Sequence, residues 1–167
     1  MPDRSAGILL YRRRDDTETE LLLVHPGGPY WKNKEEHAWS IPKGEYQLGD
    51  DPERAAEREF AEELGQTVPT GSRIDLGEIR QSGGKRVRVW AVHAHQFSID
   101  QVVSNEFEME WPPGSGRLLS FPEVDRAEWT STEHARRRLV RGQVAFIDRL
   151  LEQVAPQPAP PVDPGPA

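Results

Sequence analysis

The chain has 167 residues, 29% of them charged, and a formal net charge of −7, and this length suits one compact domain. The acidity excludes the extended basic surface of nucleic-acid-binding domains, and the lack of cysteine excludes disulfides, thiolate metal sites and cysteine nucleophiles. No apolar stretch approaches the length of a membrane span or a signal-peptide core. We therefore expect a soluble, cytoplasmic protein without a membrane partner, and the sequence leaves the oligomeric state open.

Apolar periodicity and turn-forming residues predict runs of strands with one helix midway and two late. The predicted strands are residues 6–12, 20–25, 74–80, 86–97, 106–111 and 127–130, and the predicted helices are residues 52–64, 132–139 and 144–154. The strands 74–80 and 86–97 are expected to form a hairpin around a Ser-Gly-Gly-Lys turn. This order of elements favours an α/β class, with a mixed sheet sandwiched between helices.

The last thirteen residues differ in composition from the rest of the chain. Residues 155–167 contain six prolines, which exclude a helix or a central strand. We therefore predict a folded domain over residues 1–154, followed by a Pro-rich disordered tail over residues 155–167.

Residues 52–64 have the strongest helix signals in the chain. Asp51 is a natural N-cap, Pro52 suits the first turn, and Gly65 suits the C-terminal stop. Residues four apart form an apolar seam that we expect to pack on the sheet, namely Ala56, Phe60 and Leu64.

Another face of this helix carries three carboxylates, because residues three and four apart lie on one side. They are Glu59, Glu62 and Glu63. Like charges at this spacing repel, and the C-terminal part of a helix is unfavourable for anions. Two interpretations follow. The face is either a solvated surface in which Arg58 pairs with Glu62, or a site for a hard divalent cation such as Mg2+.

The segment around this helix resembles the Nudix box, G-x5-E-x7-R-E-U-x-E-E-x-G-U, in which U is a bulky apolar residue. The matching residues are Gly44, Arg58, Glu59, Phe60, Glu62, Glu63 and Gly65. Asp50 replaces the usual first Glu, which in the family mainly anchors the box arginine, and Gln66 replaces the final apolar residue. The segment 121–129 extends the resemblance over most of residues 5–154.

The resemblance implies a loop–helix–loop catalytic motif held on a mixed sheet. It implies a Mg2+ or Mn2+ site formed by Glu59, Glu62, Glu63 and a backbone carbonyl near Lys43 or Gly44. It also implies catalytic roles for Glu59 and Glu62, with Arg58 as an orienting residue. Family members hydrolyse a nucleoside diphosphate linked to another group. In such reactions the metal aligns the phosphates and a carboxylate removes a proton from water.

The substrate is predicted less sharply than the reaction. The lead-in 39–44 is similar to that of the family's diadenosine-polyphosphate and diphosphoinositol branches. It favours dinucleoside polyphosphates, ahead of diphosphoinositol polyphosphates and nucleoside triphosphates. Two other interpretations remain open: a catalytically silent Nudix module that binds a nucleotide or a protein, and a small interaction domain with a solvated acidic helix.

Several residues outside the box have side chains that suit substrate binding. Candidate phosphate-binding cations are Lys43, Lys85, Arg86 and Arg88, and candidate base-stacking residues are Tyr30, Trp31 and Trp111. The alternative for the hairpin cations is a turn that is charged for solubility. Trp39 and Trp90 are expected in the core.

An acid outside the box is also expected, as a metal ligand or a base. Glu106, Glu108 and Glu110 are candidates because they share one face of a predicted strand, and Glu123 is a weaker candidate. The alternative for the first three is a solvent-facing side of that strand. His93 and His95 share a strand face without a third ligand at a suitable spacing, so we do not predict a zinc site there.

Overall fold

The computed structural model describes residues 3–15, 17–94, 96–155 and 165, and these form a mixed sheet with helices on both faces. The strands are β1 (Arg4–Arg14), β2 (Glu18–Pro26), β3 (Lys43–Glu45), β4 (Arg73–Arg80), β5 (Arg86–His93), β6 (Glu106–Glu110), β7 (Leu118–Pro122) and β8 (Val124–Ser131). The helices are α1 (Pro52–Leu64), α2 (Thr132–Arg138) and α3 (Ala145–Val154), with a single 3-10 turn at Arg141–Gln143. None of the described helices is long and apolar enough to cross a membrane.

The main sheet has the strand order β4-β5-β1-β2-β8, and the short strand β3 pairs with β1. β1 and β5 are parallel, whereas the other pairs of this sheet are antiparallel. β6 and β7 form a separate two-stranded sheet. The predicted α/β class with a mixed sheet between helices is therefore confirmed.

Two hydrophobic clusters lie on opposite faces of the sheet, because successive residues of a strand point to opposite sides. On one face Ile8 and Leu10 of β1 pack with Phe60 and Leu64 of α1. On the other face the cluster combines strand residues with α2, α3 and the segment before β3. Its large members include Leu9, Leu21, Leu23, Trp39, Ile41, Leu139, Phe146 and Leu150. The sheet thus separates α1 from the two later helices.

The structure differs from the sequence prediction in the short elements. β3 and β7 were not predicted, because three residues in a loop and a strand beside a Pro-Gly turn carry too little periodicity. β5 ends at His93 instead of residue 97, and β8 begins at Val124 instead of residue 127. His95 lies outside the described residues, as does the predicted tail except for Ala155 and Gly165.

Candidate active site

Helix α1 is held at both ends by the residues that predicted its limits. The Asp51 side chain accepts a hydrogen bond from the backbone N–H of Glu53 at 3.0 Å. Gly65 ends the helix in the left-handed conformation, at φ 73°, and its N–H donates to the Ala61 carbonyl at 2.8 Å. Because Phe60 is fully buried against the sheet, the rotation of the helix is fixed. The acidic face is thereby turned towards β3.

The carboxylate of Glu59 lies directly against the backbone of Gly44 in β3. A Cβ atom at residue 44 would lie 1.9 Å from the Glu59 Cδ atom and 2.0 Å from its Oε2 atom, far inside contact distance. A larger residue at this position would therefore displace the Glu59 carboxylate. Burial raises the pKa of Glu59, and the charge of Glu62 raises it further. The fold thus holds a carboxylate and a backbone segment in the close approach that the sequence resemblance implied.

Glu63 is the most perturbed acid of the site. Its Oε2 atom is buried and has no hydrogen-bond partner among the described residues. Burial raises the pKa of Glu63 to about 8, although the nearby charge of Lys43 opposes the shift. Burial also lowers the pKa of Lys43, with the charge of Lys85 as the next cause. A buried, unpartnered carboxylate oxygen is costly unless a cation or a proton completes it.

Arg58 lies beside the acidic face and contacts three groups. Its Nη2 atom donates to the Glu45 carbonyl at 3.4 Å and lies 3.4 Å from Glu59 Oε1, and its Nε atom lies 3.9 Å from Glu62 Oε1. In the family the acid at this place of the box mainly anchors the arginine, and the shorter Asp50 made that contact doubtful. Instead, the Asp50 carboxylate accepts from the backbone N–H of Gln47 at 3.0 Å, and the structure shows no ion pair with Arg58. The shorter Asp50 side chain therefore stabilises the turn of residues 47–50 and does not hold Arg58.

Of the four candidate acids outside the box, Glu123 is the one whose charge is felt by the carboxylate cluster. Its charge contributes to the raised pKa values of Glu59 and Glu63. Its backbone is held on both sides: its N–H donates to the Asn105 carbonyl at 2.8 Å, and its carbonyl accepts from Gly27 at 3.0 Å. The Asn105 N–H in turn donates to the Glu62 carbonyl at 2.9 Å. The loop before β6 therefore ties Glu123 to α1.

The three acids that the sequence analysis preferred lie on the exposed side of β6. Glu106 accepts from the Ser120 hydroxyl and Glu110 from the Gly116 N–H, both at 2.8 Å. Glu108 is exposed on the same strand face. Strand alternation identified their common face correctly, but that face belongs to the separate β6–β7 sheet. The sequence analysis gave Glu123 only as a weaker candidate.

The donor set fits a hard divalent cation in its chemistry. Glu59 and Glu63 supply partly or wholly desolvated carboxylate oxygens, and Glu62 lies on the same helix face with a side chain that is 38% exposed. Over the described part of the chain, no three acidic or imidazole side chains converge into a complete ligand cage. Mg2+ does not need one, because it keeps several waters and uses one or two carboxylates together with substrate phosphates.

The four candidate phosphate-binding cations fall into two pairs. Lys43 and Lys85 lie near the acidic cluster, and the Lys85 Nζ atom lies 3.7 Å from Glu45 Oε1. Arg86 and Arg88 instead form cross-strand ion pairs with acids of β4, at 3.4 Å to Glu78 and 2.6 Å to Asp75, respectively. The structure therefore brings the lysines to the site and gives the arginines partners in the sheet.

A cleft of about 560 Å³ opens beside Lys43. Trp31, from the loop after β2, lines it together with Gln81 and Ser82 of the β4–β5 turn and Arg141 of the 3-10 turn. The sequence did not predict this cleft, because its walls come from four distant segments. Tyr30 is 54% exposed and makes an edge contact with Trp111, with ring centroids 5.3 Å apart.

A second cleft, of about 610 Å³, lies at the other end of β1. Tyr11, Arg13, His93 and Val154 are among its lining residues. None of the acidic cluster lines either cleft, but Lys43, which interacts electrostatically with Glu63 and Glu59, lines the first. Of these two clefts, the one beside Lys43 is therefore the nearer to the candidate chemistry.

Comparison with known proteins agrees with this arrangement. The C. elegans Ap4A hydrolase, solved as a binary complex, has 20% identity and a TM-score of 0.62, with 92% of this chain and 98% of that chain covered. The NUDIX domain of Shewanella oneidensis NrtR, solved with ADP ribose, has 13% identity and a TM-score of 0.61, with 92% and 88% covered. The C-terminal domain of mouse MUTYH, solved with human PCNA, has 17% identity and a TM-score of 0.58, with 92% and 89% covered. These low identities show a shared fold.

Among functionally curated proteins, none shows significant similarity to the chain. The family model of the NUDIX domain, however, matches residues 1–150, which is most of the 167-residue chain. With the matching box, the mixed sheet and the acidic helix face in place, the chain belongs to the Nudix family.

Proposed function

We propose that this protein is a Mg2+- or Mn2+-dependent hydrolase that cleaves a phosphoanhydride bond in a nucleoside-diphosphate-linked substrate. The observation that carries the proposal is the unpartnered buried oxygen of Glu63, beside Glu59 and the close-packed Gly44. A solvated acidic face would leave each carboxylate in water, whereas these two have pKa values raised by burial. Such an arrangement is costly without a cation and useful with one.

In the proposed site, Glu59, Glu62, Glu63 and the Gly44 carbonyl hold the metal. When bound, Mg2+ or Mn2+ neutralises phosphate charge and makes water a better proton donor. Arg58 orients the Glu59 and Glu62 carboxylates through its contacts with both.

The remaining steps belong to groups around that cluster. The Glu123 carboxylate takes the proton of the attacking water, a role supported by the effect of its charge on the pKa values of Glu59 and Glu63. The ammonium group of Lys43, with Lys85 behind it, attracts the phosphate chain. These roles divide the work between charge neutralisation, proton removal and substrate orientation.

We propose dinucleoside polyphosphates as the preferred substrates. The cleft of about 560 Å³ beside Lys43 has room for a group beyond the reacting phosphates, and Trp31 offers it an aromatic face. Tyr30, the neighbour of Trp31 in the chain, is exposed and makes an edge contact with the half-buried Trp111. ADP ribose, nucleoside triphosphates and diphosphoinositol polyphosphates are the alternatives to compare.

The test is a turnover panel of these four substrate classes, with Mg2+ or Mn2+ and with a chelator. We expect metal-dependent release of nucleotide products, with the highest kcat/KM for a dinucleoside polyphosphate. Glu63→Gln should abolish it, while Glu108→Gln, a matched change on the exposed face of β6, should not. Absence of hydrolysis across the panel with both metals would contradict the enzymatic proposal.

The second candidate is a catalytically silent module that binds a nucleotide or a protein. Its specific support is the apolar surface of β7, where Leu118 is 69% and Leu119 is 41% exposed. Calorimetry separates the two candidates: a silent module binds ADP ribose or a dinucleotide and leaves it intact in the presence of Mg2+.

A further inference from the structure

His25, the next-to-last residue of β2, is fully buried and has both ring nitrogens in hydrogen bonds. Its Nδ1 atom lies 2.8 Å from Asp125 Oδ1, and its Nε2 atom lies 2.7 Å from the Lys34 carbonyl oxygen. We infer that His25 is a positioning residue, which clamps the loop after β2 against β8 and so fixes Trp31 as a wall of the substrate cleft. This inference rests on the proposed function only for its effect on substrate binding.

The two partners of the ring lie on different elements. The Asp125 carboxylate belongs to β8, whereas the Lys34 carbonyl oxygen belongs to the loop after β2. A backbone carbonyl oxygen only accepts hydrogen bonds, so the ring donates to Lys34 through Nε2. One buried ring therefore joins this loop to the edge strand of the sheet.

The charged groups around His25 complete this network. Arg126 of β8 donates to Glu35 of the loop at 2.6 Å and lies 3.8 Å from Asp125. Trp39, whose ring is 5.1 Å from that of His25, donates its Nε1–H to Glu35 at 2.9 Å. The guanidinium groups of Arg126 and of Arg138 in α2 lie 5.0 and 4.7 Å, respectively, from the Trp39 ring centroid. These contacts connect the loop to β8 and α2 around the His25 ring.

The clamp reaches the cleft through Lys34. The Lys34 N–H donates to the Trp31 carbonyl at 3.0 Å, and its ammonium group lies 5.1 Å from the Trp31 ring centroid. Trp31 lines the cleft beside Lys43. Fixing the Lys34 carbonyl therefore fixes the turn that presents Trp31.

The same clamp connects the loop to the candidate base. At the start of the loop, Gly27 donates to the Glu123 carbonyl at 3.0 Å, two residues before the Asp125 that holds His25. A Cβ atom at residue 27 would lie 2.0 Å from the Pro122 carbonyl oxygen, so the two segments are in close contact. The substrate wall and Glu123 are therefore parts of one clamped unit.

The experiment compares His25→Gln with His134→Gln, a matched change at an exposed site on α2. With diadenosine tetraphosphate as the probe, we expect His25→Gln to raise KM about tenfold, with kcat within about threefold of the wild type. Hydrogen exchange of the peptide 27–38 should accelerate in this variant and stay unchanged in the control. An unchanged exchange rate, or an unchanged KM, overturns the inference.

A second variant gives a readout that does not depend on turnover and serves if His25→Gln does not fold. Asp125→Ala removes the carboxylate that holds the ring, so hydrogen exchange of the peptide 27–38 should accelerate. Asp125→Asn keeps an acceptor oxygen and should restore part of the protection. Unchanged exchange in Asp125→Ala overturns the clamp. If the chain hydrolyses nothing, the exchange results still decide the clamp, and only the proposed function fails.

Discussion

Glu63→Gln should change how the stability of the metal-free protein depends on pH. Burial raises the pKa of Glu63 from 4.5 to about 8 in the folded chain, so the folded state keeps a proton that the unfolded state releases. Below about pH 4.5 the Glu63 carboxyl group is protonated in both states and does not lower the free energy of unfolding. As the pH rises towards 8 it lowers the free energy of unfolding progressively, and above that pH the loss is constant. Glutamine has the same shape and does not titrate. The difference in the free energy of unfolding between the two proteins therefore reports on Glu63 and not on the other acids.

The magnitude follows from the width of this window. Each pH unit corresponds to about 1.4 kcal/mol, so the full shift sets an upper limit of about 5 kcal/mol. Local relaxation and the nearby Lys43 reduce it, and we expect Glu63→Gln to be about 2–3 kcal/mol more stable than the wild type at pH 8. In a domain of this size that difference raises Tm by about 5–10 °C.

The assay is thermal unfolding of wild type and Glu63→Gln with a chelator, from pH 5 to pH 8.5. The two melting temperatures should nearly coincide at pH 5 and separate as the pH rises. Added Mg2+ should then raise Tm of the wild type at pH 8 and have little effect on the variant, because a bound cation stabilises the ionised carboxylate. Glu108→Gln is the matched control. If the melting temperatures of the wild type and Glu63→Gln change in parallel across this pH range, burial does not raise the pKa of Glu63 as inferred.

Three further predictions test the rest of the site. Glu59→Gln should lower kcat by about a thousandfold, equivalent to about 4 kcal/mol, and change the Mg2+ dependence, whereas Arg58→Lys should lose only part of the activity; turnover against Mg2+ concentration checks both. Gly44→Ala should lower both Tm and metal affinity, because the added Cβ overlaps the Glu59 carboxylate, as melting and calorimetry will show. Glu123→Gln should reduce kcat and flatten its pH profile, and Glu108→Gln should leave both unchanged.

The helix at the site could be predicted in detail because its signals are local. The N-cap Asp51, the following Pro52 and the stop at Gly65 act on neighbouring backbone groups, and the structure shows each in its predicted place. The common face of Glu59, Glu62 and Glu63 follows from helix geometry alone. The family resemblance placed Gly44 opposite this face, and its missing Cβ atom explains why a glycine stands there.

The acid outside the box shows where local reasoning stops. Glu106, Glu108 and Glu110 have a clear alternating pattern, but alternation says which residues share a face and not where that strand lies in the fold. Glu123 stands between β7 and β8 and has no periodic signal. Its position depends on backbone bonds to Asn105 and Gly27, residues that are far away in sequence.

His25 makes the same point for a residue that the sequence left unremarked. In the run Leu-Leu-Leu-Val-His it continues an apolar strand, and nothing nearby indicates a charge. Its role depends on Asp125, one hundred residues later, and on a carbonyl oxygen, which no side-chain pattern can encode. Buried ring nitrogens need hydrogen-bond partners, so full burial of a histidine inside a strand is itself a reason to search for a distant acid or carbonyl. Here that acid is Asp125, two residues from Glu123, the candidate base. The contacts that hold the Trp31 loop therefore also hold the segment that carries Glu123.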